Sequence, residues 1–321
     1  MNDLFRSAIV CDMTVPHNPE FPLAVVEDLP HRLRRAGLSY ASITVAATHD
    51  TATALAWTAA WRRRILRQPD AFVLAMSAAD VRRARQEGKL AVGLHFQDCT
   101  PVGDNLDLVE TFHALGIRHM ILAYNARSLA ADGGLEPGDA GLSRFGLRLV
   151  AEMNRVGMLV DLSHMGRRSA REAAEASTSP VIVSHANVRN VFEHHRSVDM
   201  DLARAVADKG GVFGAVGQGV LLGGSDRLTD RFVGLVDTLV THIGIDHVGL
   251  GSDFCADLDA QKRYWADSPL QLSDPVAHRA FMENRVLEPE HLPEVADKLS
   301  KKGYSDDQVR AVLGENWLRI L

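Results

Sequence analysis

Cysteine is scarce in this 321-residue chain: Cys11, Cys99 and Cys255 are its three thiols. So small and odd a number excludes a disulfide framework and points to a reducing compartment, with the thiols read as small buried apolar residues. An excess of positive charge is missing as well. Lys and Arg total 35 against 41 for Asp and Glu, a formal charge of −6, which argues against the clustered basic surface of a sequence-independent nucleic-acid binder. The longest basic run, Arg62-Arg63-Arg64, reads as a solvated helix face. No apolar run nears the roughly 18 residues of a spanning helix. The opening Met1-Asn2-Asp3-Leu4-Phe5-Arg6 lacks a basic stretch followed by an apolar one, so no signal peptide is expected. There is no Pro/Gly/Ser-rich linker, and no repeat at a fixed period. The expectation is a soluble, cytoplasmic protein with neither nucleic acid nor membrane as partner.

What the chain does have is a globular balance, 46% hydrophobic and 24% charged. It alternates short β-branched runs with longer helical patterns. Candidate strands fall at residues 7–12, 40–46, 90–96, 120–124, 158–162, 181–184, 212–216 and 248–252, each a near-continuous apolar run, as parallel strands buried on both faces require. Between them lie amphipathic segments. One carries Leu142, Phe145, Leu149, Val150 and Met153 and stops at Gly157; the last opens on a capping box, Ser305-Asp306-Asp307-Gln308. Eight strand–helix alternations predict an α/β protein, one (β/α)8 TIM barrel over residues 1–321. A doubly wound sheet would show a glycine-rich phosphate loop after its first strand, where Asp12-Met13-Thr14-Val15-Pro16-His17 stands instead. The long segment from about 255 to 290 follows the last strand and reads as a lid.

Barrel enzymes keep their chemistry at the C-terminal ends of the strands. The fifth candidate strand runs into Ser163-His164, the sixth into Ser184-His185, the eighth into Ser252-Asp253. Each alone has a structural reading: a strand-terminal His caps a backbone group, an Asp caps a helix. Together, two imidazoles and a carboxylate on one rim form a ligand set that a divalent cation such as zinc accepts. Asp161, inside a strand, reads as a structural hydrogen-bond acceptor. His95 reads as a satisfied core residue, and His113 and His119 as surface or capping residues. Arg196 follows the sixth strand closely and suits a bidentate grip on a carboxylate. A solvated basic cluster with His194 and His195 is the alternative, and the residues alone leave both open.

These motifs are familiar. Val160-Asp161-Leu162-Ser163-His164, Pro180-Val181-Ile182-Val183-Ser184-His185, Gly249-Leu250-Gly251-Ser252-Asp253-Phe254, Gly141-Leu142-Ser143-Arg144-Phe145-Gly146 and Gly314-Glu315-Asn316-Trp317-Leu318-Arg319 resemble the membrane (renal) dipeptidase family of zinc peptidases. The likeness runs from about residue 90 to the C-terminus. It implies a metallo-dependent hydrolase barrel in which His164 and His185 are ligands of the family's second metal. Asp253 is then a metal ligand that also activates water, and Arg196 binds the substrate carboxylate.

The departures are equally informative. The family's first strand ends in His-x-Asp, where this chain has Thr14 and Pro16; its bridging glutamate appears as Gln97, with Asp98 as a substitute one residue on; its oxyanion-stabilising histidine appears as Tyr124. Thr, Pro and Gln remove the charged ligands of the first site, so the expectation is one zinc per chain. The expected function is hydrolysis of an amide bond in a small, carboxylate-bearing, dipeptide-like substrate. Asp253 and Tyr124 would be catalytic, Arg196 and Gln97 would bind substrate, and His164, His185 and Asp253 would hold the metal. A thiol could replace a missing ligand. Two alternatives on the same barrel are a lyase or isomerase and a ligand-binding protein without turnover. A homo-oligomer is among the expected partner states.

Overall fold

The computed structural model describes residues 3–17, 21–266 and 275–321. Nine parallel strands run through it: β1 (Cys11–Val15), β2 (Tyr40–Ala46), β3 (Phe72–Leu74), β4 (Leu90–Phe96), β5 (Ile117–Ile121), β6 (Leu159–Asp161), β7 (Val181–Ala186), β8 (Val212–Ala215) and β9 (Val248–Leu250). Neighbours pair in the order β2-β1-β9-β8-β7-β6-β5-β4, and β2 pairs again with β4, which closes a barrel of eight. β3 stands outside that count. It pairs with the first half of β4, Phe72 to Leu90, while β5 pairs with the second half, His95 to His119.

The expected (β/α)8 barrel is therefore present, with three local corrections. The first strand is Cys11–Val15 rather than 7–12, because Asp3–Ser7 coils into a helix. The fourth barrel strand, β5, is Ile117–Ile121 rather than 120–124. Arg118 and His119 interrupt its apolar pattern, yet both are buried, His119 in register with Leu159. The three-residue β3 carries too little pattern to be seen. The amphipathic helix Arg144–Val156 forms as expected, with Ser143 accepting from Gly146 N and Gly157 in the left-handed conformation as its stop. The Ser305–Gln308 capping box is also present. The lid expectation falls partly on residues 267–274, outside the described residues; on either side lie the helices Leu258–Ala266 and Pro275–Met282.

Strand alternation sorts the core into two bodies. Outward residues such as Leu90, Val92, Leu94 and Phe96 pack with the surrounding helices. Inward residues, among them Met13, Tyr40, Ala91, Ile182 and Val212, form a separate cluster around Trp317. Trp317 comes from the C-terminal segment and donates its indole N–H to Leu250 O at 3.0 Å. A Cβ on Gly249 would lie 2.2 Å from that indole, so only glycine lets the ring in. Above this apolar plug the inward positions turn polar: Ser42, Thr44, His95, His119 and Asp161, all buried. The plug and the polar layer fill the barrel, so chemistry is confined to the C-terminal rim.

Candidate active site on the barrel rim

The chain leaves three strands through backbone that few L-residues adopt. Asn125 beyond β5 (φ 61°), His164 beyond β6 (φ 66°) and Asp253 beyond β9 (φ 55°) are three of the four non-glycine residues with positive φ among the described residues. Such conformations persist where the surrounding structure holds them, and they gather at functional sites.

His164 and His185 meet. Their Nε2 atoms lie 3.0 Å apart. On the far side of each ring a partner fixes the orientation: Asn125 Oδ1 is 2.8 Å from His164 Nδ1, and Ser184 Oγ and Thr14 Oγ1 are 2.8 and 3.2 Å from His185 Nδ1. An amide oxygen only accepts, so His164 carries its proton on Nδ1 and turns a lone pair toward His185. Burial and the nearby Arg196 hold His164 well below the ordinary imidazole range and His185 down to about 3, so both are neutral donors at neutral pH. The Tyr124 ring stacks on His164 with centroids 4.0 Å apart.

Arg196 is buried, 8% exposed, and its Nη2 donates to His185 O at 3.3 Å. Burial lowers its pKa to about 10, which leaves it charged. No carboxylate among the described residues forms a salt bridge with it. With His164 and Leu162 it lines a cavity of about 170 Å³. A buried cation without an ion pair is costly, and a bound anion relieves that cost.

Asp253, the third expected ligand, is not grouped with the imidazole pair as a ready-made metal site. Its Oδ2 accepts from Gln218 Nε2 at 3.1 Å, and burial pushes its pKa up to about 6 against the pull of Arg196. Gln218 is in turn held by the Asn284 amide. Among the described residues, no three His, Cys, Asp or Glu side chains are grouped so as to hold a metal ion. The donor set that converges is thus two neutral imidazoles with the Thr14 hydroxyl behind one of them. It suits a single ion completed by water or neutral oxygen, and it does not suit a bridged pair.

The substitutes fare poorly. Asp98 is engaged by Thr100 N at 2.8 Å and Tyr124 N at 2.7 Å. The three thiols are buried, and burial pushes each up, Cys99 to about 12, so none is a ready thiolate. Gln97 donates to Thr44 Oγ1 at 3.0 Å. Asp161 takes the structural bonds expected of it, from Ser163 N and Ser184 N. His119 is corrected: it is fully buried in the barrel, not at the surface, because it pairs with Asp161 at 3.1 Å. Asn125, Gln218 and Asn284 had no sequence signal as site residues, since each acts by orienting a neighbour contributed by a different segment.

The closed (β/α)8 barrel is the fold of solved metallopeptidases, one of which, a dipeptidase, matches it with a TM-score of 0.79 at 20% identity over 98% of both chains. The profile of the membrane dipeptidase family (peptidase family M19) matches residues 27–266, well over half of the chain, and the protein belongs to that family. It is 35% identical over 185 residues to an uncharacterised dipeptidase of Schizosaccharomyces pombe, covering 53% of this chain and 42% of that protein. With a dipeptidase of Clonostachys rogersoniana it shares 28% identity over 259 residues, 80% of this chain and 61% of that one. The matches thus span about half the length of these curated relatives. An amidohydrolase from Pseudomonas aeruginosa has the same fold across 99% of this chain and 97% of its own, with 28% identity and a TM-score of 0.87.

Proposed function

We propose that this chain hydrolyses an amide bond in a small, carboxylate-bearing, dipeptide-like substrate, using one divalent ion where the family's pattern has two. The observation that carries this reading is the convergence of the His164 and His185 Nε2 atoms at 3.0 Å beside the buried guanidinium of Arg196, which has no salt bridge among the described residues. His164 and His185 would hold the ion, zinc by the nature of its donors, which when bound supplies Lewis acidity and an acidified water.

The chain's own residues do the rest. Arg196 receives the substrate carboxylate and orients the scissile bond. Asp253, with its pKa near 6, is ionised yet still basic at neutral pH; its Oδ2, steadied by Gln218, takes the proton released by the attacking water. The Tyr124 hydroxyl donates to the developing oxyanion. Gln97 completes the substrate pocket. Three unpaired cysteines accord with a cytoplasmic location, and among the described residues no helix is long and apolar enough to cross a membrane.

Losing the second cation removes a grip on the substrate's amino end and on the intermediate, and each such electrostatic contact is worth roughly 10²–10³ in rate. Ordinary L,L- and L,D-dipeptides are therefore expected to be poor substrates. Steady-state kinetics on a dipeptide panel with added zinc, with His164→Ala as control, tests this. A specificity constant near roughly 10⁵ M⁻¹s⁻¹ on a common dipeptide would overturn the single-ion account.

A further inference from the structure

The polar layer inside the barrel is a chain of hydrogen bonds with two unlike ends. At the rim, Gln97 Nε2 lies 3.0 Å from Thr44 Oγ1. Thr44 Oγ1 is 2.9 Å from His95 Nε2, and His95 Nδ1 is 2.9 Å from Ser42 Oγ. Ser42 Oγ is 3.1 Å from His119 Nε2, and His119 Nδ1 is 3.1 Å from Asp161 Oδ2. The two imidazoles stack with centroids 4.2 Å apart. Every intermediate member is buried, with Thr44 the most exposed at 6%.

The ends set the direction. An amide NH2 group only donates, and a carboxylate only accepts. Asp161 Oδ1 already receives Ser163 N and Ser184 N, at 3.1 and 3.0 Å, which favours the ionised form. Although burial alone would raise its pKa, the bond from His119 pulls it well below the usual carboxylate range. Between the ends stand two hydroxyls and two imidazoles, and each hydroxyl, like each ring carrying a single N–H, has one proton to give and one lone pair to offer along the line. Once His119 Nδ1–H points at Asp161, its Nε2 must accept from Ser42, Ser42 must accept from His95 Nδ1–H, His95 Nε2 must accept from Thr44, and Thr44 must accept from Gln97. All five bonds then run one way and no donor is left over. Such a line has two discrete polarities, and Asp161 selects one of them.

We propose that Asp161, His119, Ser42, His95 and Thr44 form a one-way relay that aims the Gln97 amide, with Nε2 turned into the barrel and Oε1 left as the acceptor offered to a donor group of the substrate. The five are positioning residues: none touches substrate, and they act through Gln97. The assignment of Gln97 to the substrate pocket rests on the proposed function, whereas the direction of the relay does not. It explains why a barrel interior, normally filled with branched apolar side chains, here carries two stacked histidines and two hydroxyls.

The test is long-range ¹H–¹⁵N correlation spectroscopy on the full chain labelled at histidine and glutamine, free of metal and substrate. His95 and His119 are both expected as Nδ1–H tautomers, and the Gln97 side-chain amide protons as hydrogen-bonded. Thr44→Val should shift the Gln97 amide upfield as its acceptor is lost, and Thr44→Ser should restore it. A wild-type His95 or His119 carrying its proton on Nε2 would overturn the relay, as would a Gln97 amide unmoved by Thr44→Val. If Thr44→Val does not fold, the wild-type tautomers decide alone. Because no turnover is read, Nε2–H tautomers would sink the relay and leave the hydrolase reading standing. Absence of hydrolysis with both rings as Nδ1–H would do the reverse.

Discussion

Arg196 offers the sharpest separation between a residue that serves the fold and one that serves a ligand. Its guanidinium is 8% exposed and is without a salt bridge among the described residues. Burial takes its pKa from 12.5 to about 10. That displacement is worth roughly 3 kcal/mol of lost solvation for the charged form, at about 1.4 kcal/mol per tenfold. The compensation visible in the structure is one 3.3 Å bond to His185 O, worth about 1 kcal/mol. Replacing the cation by an apolar chain of similar length should therefore leave the free protein as stable or more so, by up to about 2 kcal/mol. Binding should move the other way. Arg196→Lys keeps the charge and loses the fork, and a charged hydrogen bond is worth about 1.5–3 kcal/mol, so KM should rise about 10- to 150-fold. Arg196→Met should exceed that. The assay pairs urea unfolding of the free protein with kinetics on the best substrate of the panel. Unchanged KM in both variants, together with a loss of 2 kcal/mol or more in Arg196→Met, would show that the guanidinium holds the fold and binds nothing.

Asp253→Asn removes the proposed base while keeping the Gln218 contact geometry. It should lower kcat about 10²–10⁴-fold with little change in KM and abolish the acidic limb expected near pH 6 in the kcat profile; a wild-type limb surviving in the variant would exclude Asp253 as the base. Acid should destabilise the metal-free protein. His185 is held near 3 and His17 and His194 near 4, so between pH 6.5 and 4 the unfolded chain binds more protons at each, and stability falls by about 1.4 kcal/mol per pH unit per histidine. Asp12 and Asp253, raised to about 6, act in the opposite sense between about 3.8 and 6. The histidines outnumber them, and His164 and His95 are lowered too, so urea unfolding at pH 7 and pH 4.5 should show a clear net loss. Equal stability at the two values would contradict these assignments.

Much of this was legible in the sequence because parallel strands advertise themselves. Runs such as Val181–Ala186 are apolar on both faces, and their ends deliver His185 and its counterparts to one rim. The misplacement of β5 has its cause in polar residues placed inside a strand. Arg118 and His119 shift the expected strand to 120–124, past the start of β5 at Ile117, when His119 is an inward residue satisfied by Asp161. Likewise the site's orienting residues were invisible. Asn125 works through His164, and Asn284 works through Gln218 on Asp253. Nothing in the local pattern of an Asn or Gln says which distant side chain it will meet. The missing first-site ligands, by contrast, were plain as substitutions, and the structure adds what replaced them: Thr14 now backs His185, and Gln97 turns toward Thr44.

The central claim is that the rim holds one ion between His164 and His185. Elemental analysis of protein purified without chelators or a metal-affinity tag, alongside His164→Ala and His185→Ala, tests it directly. The account predicts about one zinc per wild-type chain, lost in both variants and not restored by excess metal. Two tightly held ions per chain, or one ion retained when both histidines are replaced, would contradict it.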